Sequence, residues 1–225
     1  MQGACILTGN ACRFLTETEC LSYDGTFYGN YLCSNPELNT SCERQSSIGC
    51  IEGKDEVYWF DSCGNRENIY MSDKERSWNK GYILPEERTC TAKPDDKNCG
   101  NCDYSKGTVC GLAKNIKPTY GDYICRDINC KTTTLSKASL EATGGPKKHG
   151  ESWCLYEFAP AFGMDVVGSR HLRASCINGE EIIEPCKDYR EEFCIQTVAE
   201  GKPINPELGS LFKLGEGFSE AMCIE

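Results

Sequence analysis

The chain is 225 residues long and carries 34 Asp and Glu against 24 Lys and Arg, a formal net charge of -10 and a pI near 4.9. Scattered cations in an acidic background exclude the basic stripe of a nucleic-acid binder and argue against docking on anionic lipid. Eighteen cysteines beside only 39% hydrophobic residues, with a mean hydropathy of -0.49, point to a disulfide scaffold whose apolar core is split into small clusters.

An even cysteine count allows nine bridges with no thiol left over. The expected half-cystines are Cys5, Cys12, Cys20, Cys33, Cys42, Cys50, Cys63, Cys90, Cys99, Cys102, Cys110, Cys125, Cys130, Cys154, Cys176, Cys186, Cys194 and Cys223. Each bridge stabilises by about 2–4 kcal/mol, chiefly by restricting the unfolded chain, and bridges persist in oxidising compartments. An extracellular or cell-surface protein follows. No stretch approaches the ~20 apolar residues of a membrane span, so no insertion is expected. Met1-Gln2-Gly3-Ala4-Cys5 lacks the basic and apolar regions of a secretory leader. We therefore expect a mature form or a piece of a longer secreted protein.

Residues 1–49 read as an N-terminal stapled unit. Thr16 with Glu19 fits a capping box that starts a short helix and stops near Tyr23-Asp24-Gly25. Gly25 to Gly29 follows as a strand. Its layout of Cys5, Cys12, Cys20, Gly25-Thr26-Phe27-Tyr28-Gly29 and Cys33 resembles short cysteine repeats of secreted microbial proteins. Asn39-Thr40-Ser41 is an N-glycosylation acceptor pattern, which makes Asn39 a candidate modification site.

Residues 50–130 form a first cysteine-rich ribbon unit. Cys50-Ile51-Glu52-Gly53, the run Val57-Tyr58-Trp59-Phe60, Cys63 and Arg66-Glu67 parallel Cys176-Ile177-Asn178-Gly179, Cys186 and Arg190-Glu191. Self-similarity of this kind predicts two related halves. The cluster around Trp59 reads as core ahead of a ligand-stacking platform. Residues 68–89 are polar, with Trp78 alone among them, and read as the boundary between halves. Cys99-Gly100-Asn101-Cys102, with Cys90 and Cys110, could offer four thiolates to zinc. A second CxxC knuckle is missing, and so is the strand-to-helix setting of a redox motif, which favours disulfides and no cofactor.

Residues 131–149 are rich in Thr, Ser, Gly and Lys, the composition of a connector, with His149 solvated at its end. Residues 150–225 form a second ribbon unit with a helical tail. Asn178-Gly179 predicts a two-residue type I′ hairpin. It would set Ile177 opposite Glu180, Cys176 opposite Glu181, Ala174 opposite Ile183 and Arg173 opposite Glu184. Leu172, Ala174, Cys176 and Ile183 then share a core face, while Arg173 and Glu184 form an ion pair on the other. Residues 188–194 read as a short helix with Tyr189 and Phe193 on one face. Asn205-Pro206 starts another, with Leu208, Leu211 and Phe212 on one side.

Chemistry is sparse. His149 and His171 are the two histidines. Ser169, His171 and Asp165 suggest a hydrolase triad, but Ser169 lacks nucleophile-elbow glycines, and alternate residues of one strand point the same way. A carboxylate pair of the glycosidase kind stays open.

Gly150-Glu151-Ser152-Trp153-Cys154, Asp165-Val166-Val167-Gly168-Ser169-Arg170-His171 and the run from Cys176 to Cys194 are joined by Tyr58 to Glu67 and Cys99 to Cys102. In these residues the chain resembles cysteine-rich proteins, predicted to be secreted or surface-bound, of uncultivated small-genome archaea. The resemblance spans roughly residues 50–194, implies secretion and carries no activity.

The expected fold class is small and disulfide-rich, mainly β, built of stapled hairpins with a few short helices. The expected function is a non-enzymatic extracellular structural or adhesion module, such as a cell-surface or filament subunit, meeting its own copies or other surface proteins and glycans. One alternative is a secreted carbohydrate-active hydrolase using carboxylates. Another is a glycan-binding module presenting Trp59, Trp78 or Trp153.

Overall fold

The computed structural model of the protein describes residues 1–131, 146–156, 168–187, 191–199 and 218–225. Contacts divide the chain into two compact units, Met1–Asp127 and Ile128–Glu225. Every cysteine is in a disulfide. The first unit holds Cys5–Cys20, Cys12–Cys33, Cys42–Cys63, Cys50–Cys110, Cys90–Cys99 and Cys102–Cys125. The second holds Cys130–Cys176, Cys154–Cys194 and Cys186–Cys223. No bridge joins the units, and the fold is the predicted mainly-β, stapled class.

In the first unit, β1 (Gln2–Ile6) pairs antiparallel with both β2 (Cys12–Thr16) and β3 (Thr26–Gly29). Helix α1 (Glu17–Ser22) begins at the predicted capping box, where Glu19 N donates to Thr16 Oγ1 at 3.3 Å and Thr16 N donates to Glu19 Oε2 at 2.8 Å. These bonds satisfy donors that a helix start leaves open. Gly25 ends this turn because a Cβ there would lie 2.4 Å from Cys5 Sγ, against the Cys5–Cys20 bridge.

A meander of β4 (Ser47–Cys50), β5 (Val57–Phe60) and β6 (Arg66–Ile69) carries the main core of this unit. Ile48, Val57, Trp59 and Tyr70 pack there on the half-cystines Cys102 and Cys125. Residues 68–89, read above as a boundary, instead continue β6 and carry α2 (Lys74–Trp78) inside the first unit. Helix α2 is capped by Asp73, whose Oδ1 accepts from Arg76 N at 3.1 Å, a local signal that the polar composition of the segment masked. Strands β7 (Thr108–Leu112) and β8 (Tyr123–Asp127) close the unit as an antiparallel pair.

In the second unit, β10 (His171–Ile177) lies between β9 (Ser152–Tyr156) and β11 (Glu180–Pro185). The β10–β11 register is the predicted one throughout, from Ile177 opposite Glu180 to Arg173 opposite Glu184. Asn178 and Gly179 both take positive φ, 51° and 84°, as a type I′ turn requires. Arg173 and Glu184 approach to 4.0 Å. One side chain departs from expectation. Ala174 and Cys176 are fully buried, but Ile183 is 43% exposed, because alternation fixes its face whereas its place on the outer strand β11 leaves that face incompletely covered. Gly179→Ala should lower stability by about 1–2 kcal/mol through left-handed strain, read from denaturant unfolding. Ile183→Thr at the wet edge should stay within about 0.5 kcal/mol.

The last pair, β12 (Phe193–Ala199) and β13 (Phe218–Ile224), forms its own two-stranded sheet. Phe193 and Cys194 therefore open a strand rather than close the helix expected at 188–194; Asp188, Tyr189 and Arg190 lie outside the described residues. The expected tail helix with Leu208, Leu211 and Phe212 also lies outside them, as do 132–145 of the connector.

The internal repeat is not seen as a structural one. Cys50 ends the first strand of its meander and bridges to Cys110, whereas Cys176 lies in the central strand of its sheet and bridges to Cys130. Similar turn and strand composition produced similar sequence without the same connectivity.

Candidate functional site

The predicted chemical groups are engaged in holding the fold. His171 is 4% exposed, its Nδ1 accepts from Cys194 N at 3.0 Å, and its ring meets Tyr156 and Phe193 edge-on. This contact ties β10 to the start of β12. His149, expected in solvent, accepts through Nδ1 from Asn178 N at 3.0 Å and so props the hairpin turn. Ser169 is 1% exposed, and Asp165 lies outside the described residues.

The four cysteines weighed as zinc ligands are half-cystines, as the sequence favoured. Cys99 bridges to Cys90, Cys102 to Cys125, and Cys110 to Cys50. The same reason disposes of two groups that bring sulfur and carboxylate together, Cys42–Asp61–Cys63 and Cys186–Glu192–Cys223, since their sulfurs are oxidised to disulfides.

The tryptophans are structural as well. Trp59 and Trp153 are 2% and 0% exposed, so neither can stack on a ligand. Trp78 is half-buried, with the Arg44 guanidinium 4.2 Å from its ring centroid and its Nε1 donating to Ser34 Oγ at 3.1 Å.

Among the described residues, several carboxylates gather around one cleft. The cleft, of about 480 Å³ in the first unit, is lined by Asp55, Glu56, Glu86 and Asp103, with Lys93 and Lys106 among them. A glycosidase needs one acid held neutral beside one ionised carboxylate. Here Asp103 is held below the usual carboxylate range by Lys106, 2.7 Å away, and by Ser105. Asp55 Oδ2 accepts from Tyr104 N at 3.1 Å, and Glu56 Oε2 accepts from the Tyr58 hydroxyl at 3.0 Å. These bonds brace the loops around the cleft.

The carboxylate pushed upward is Glu67, away from this cleft. Burial raises it, although it accepts from Ser34 Oγ and from Gln45 N. Ser34 in turn receives Trp78 Nε1, so Glu67 ties β6 to two loops and to the end of α2. A folded-state value above the ordinary 4.5 means that the native protein binds this proton more readily than the unfolded chain. Its contribution is therefore greatest below the ordinary value and is lost as pH rises through the raised one. Stability curves of wild type and Glu67→Gln should diverge above pH 4.5, the wild type gaining relative to the variant as pH falls toward it. Parallel curves would contradict the assignment.

Among the described residues, the β12–β13 ribbon carries several half-exposed apolar side chains. Its inner face packs toward β9: Ala221 N donates to Ser152 Oγ at 2.7 Å, Cys154 N to Gln196 Oε1 at 3.1 Å, and Ser219 N to the buried Glu151 Oε1 at 2.9 Å. By strand alternation the opposite face presents Ile195, Met222 and Ile224, each 38–50% exposed, with Thr197 opposite Glu220 beside them, while Phe193 packs on His171. The period-two pattern of both segments was the signal for it in the sequence. Asn39, the glycosylation candidate, is exposed in a left-handed conformation at the end of a 3-10 turn.

Among the described residues no helix is long and apolar enough to cross a membrane. Comparison with known proteins returns no matching family, no similar curated protein and no similar solved structure.

Proposed function

We propose that the protein is a non-enzymatic structural module of the cell exterior, a subunit of a surface layer, filament or adhesive assembly. The observation that carries this reading is where the bridges sit. Each of the four buried clusters is built around half-cystines: Cys102 and Cys125, Cys130 and Cys176, Cys12 with Cys33 and Cys42, and Cys154 with Cys186 and Cys194. Cross-links sit inside each core cluster, so stability depends on an oxidising medium. Such construction slows unfolding and proteolysis, which benefits a part that stays outside the cell for long periods. The engaged histidines, tryptophans and carboxylates weigh against the hydrolase and glycan-stacking alternatives. In this reading Asn39 is open to glycosylation, and the chain belongs with the archaeal surface proteins that its cysteine pattern resembles.

Trypsin resistance tests the reading. The oxidised chain should survive with a half-life about 100-fold longer than the reduced and alkylated chain. Equal half-lives would overturn it, as would turnover of a polysaccharide that is lost in Asp55→Asn or Glu56→Gln.

A further inference from the structure

We propose that Cys110 and Cys125 form a disulfide-exchange relay, through which a dithiol reductant arriving at the exposed Cys50 unmasks Cys102 as a free thiol on the wall of the carboxylate-lined cleft. The inference goes beyond the structural-module reading and does not depend on it. Its basis is the register of the β7–β8 pair, which sets Cys110 directly opposite Cys125 although each is bridged elsewhere, to Cys50 and to Cys102. Cys110 N donates to Asp55 O at 2.6 Å, and Cys125 O accepts from Asp95 N at 2.8 Å. Both groups therefore point away from the partner strand, which makes this a non-hydrogen-bonded pair, the kind whose side chains come closest. In such a pair the Cα atoms lie about 4.5 Å apart, inside the roughly 4.4–6.8 Å that a disulfide spans. Directly opposed residues share a face, and Cys110 packs on the buried cluster that holds Cys102 and Cys125.

Exposure gives the relay its direction. Cys50 is exposed and Cys110 half-buried, whereas Cys102 is 4% and Cys125 0% exposed. An external thiolate therefore bonds to Cys50 Sγ, the Cys50–Cys110 bond breaks, and its electron pair stays on Cys110 Sγ. That thiolate bonds to Cys125 Sγ, the Cys102–Cys125 bond breaks, and Cys102 departs as a thiolate that takes a proton from water. The second thiol of the reductant then attacks the mixed disulfide and releases Cys50. One dithiol has become a disulfide, and two bridges have become one bridge and two thiols. The new bridge closes a somewhat shorter loop than the separation of 23 residues it replaces, so chain entropy opposes the exchange little. Cys102 lines the cleft with Asp103 and Lys106, and its sulfur becomes open to alkylation or to a small disulfide there.

The second unit holds the same opposition without the entry point. Cys194 lies opposite Cys223, and Cys194 N donates away from it to His171 Nδ1. Freeing either sulfur for exchange requires attack on Cys154 or Cys186, which are 7% and 1% exposed. Native exchange is thus confined to the first unit.

Limited reduction of the full oxidised chain tests the relay. After one equivalent of dithiothreitol and rapid alkylation with N-ethylmaleimide, peptide mapping should find Cys50 and Cys102 labelled and a Cys110–Cys125 bridge, with label at Cys102 exceeding that at Cys110 about tenfold. Cys50→Ser removes the need for reductant, and its single free thiol should be found on Cys102. Cys102→Ser runs the exchange backwards and should leave its free thiol on Cys50. Trypsin resistance certifies that each variant has folded. Label that stays on Cys110 in the first variant or on Cys125 in the second would overturn the proposal. So would wild-type chains reduced at Cys50 and Cys110 with Cys102–Cys125 intact, or chains in which the bridges of the second unit open while Cys50–Cys110 resists the dithiol.

Discussion

Replacing Cys50 and Cys110 together by alanine is expected to cost about 4 kcal/mol, whereas replacing Cys90 and Cys99 together should cost about 2.5 kcal/mol. Both figures follow from the length of chain each bridge closes, a separation of 60 residues for the first and 9 for the second. A bridge acts mainly on the unfolded ensemble, where a longer loop forfeits more freedom when it is closed. The Cys90–Cys99 bridge lies within the longer loop and shortens its effective length slightly, so the difference is an upper bound. The pairs must be removed together, since a single replacement leaves a reactive thiol. Guanidinium unfolding under oxidising conditions measures both. Equal costs, or a greater cost for the short loop, would mean that these cross-links act by local packing rather than by restricting the chain.

Trp153→Ala is expected to cost about 3–5 kcal/mol. Trp153 is fully buried with Leu155 and Ala174 against the Cys130–Cys176 bridge. A disulfide cannot relax inward to refill the space as a flexible side chain can, so most of the cavity stays open. Trp153→Phe should cost much less, about 1–2 kcal/mol, because Trp153 Nε1 has no hydrogen-bond partner and its removal leaves nothing unsatisfied. Unfolding curves of the two variants check the ranking, and hydrogen exchange should show the first loss of protection in the β9–β10–β11 sheet. If Phe proved as costly as Ala, an unseen polar role for the indole would replace packing as its function.

The contrast between what was legible and what was not follows from the range of each signal. The Asn178-Gly179 turn and the Thr16–Glu19 box act over two to four residues, so they fixed local structure and register in advance. Bridge partners act across 9 to 60 residues, and eighteen cysteines permit far too many pairings for spacing to decide. Cys99 and Cys102, adjacent in a CxxC, take partners on opposite sides of their own segment. The exposure of Ile183 depends on which strand ends up at the edge, which alternation alone does not reveal. The β12–β13 face shows the same limit: Phe193-Cys194-Ile195 and Ala221-Met222-Cys223-Ile224 alternate visibly, but their pairing joins distant segments. Composition correctly identified the class of protein, because covalent cross-links in place of a large core leave a mark on residue counts. It could not reveal that both histidines accept backbone N–H bonds, since that depends on tertiary placement.

Alkylation of the native chain with and without prior reduction, followed by intact mass and peptide mapping, tests the central claim most directly. A chain whose cores hold its cross-links should take up no label when native and eighteen labels after reduction. Its bridged peptides should fall into six pairs within 1–127 and three within 128–225. Native labelling of Cys90, Cys99, Cys102 and Cys110, or a bridge between the two units, would contradict it.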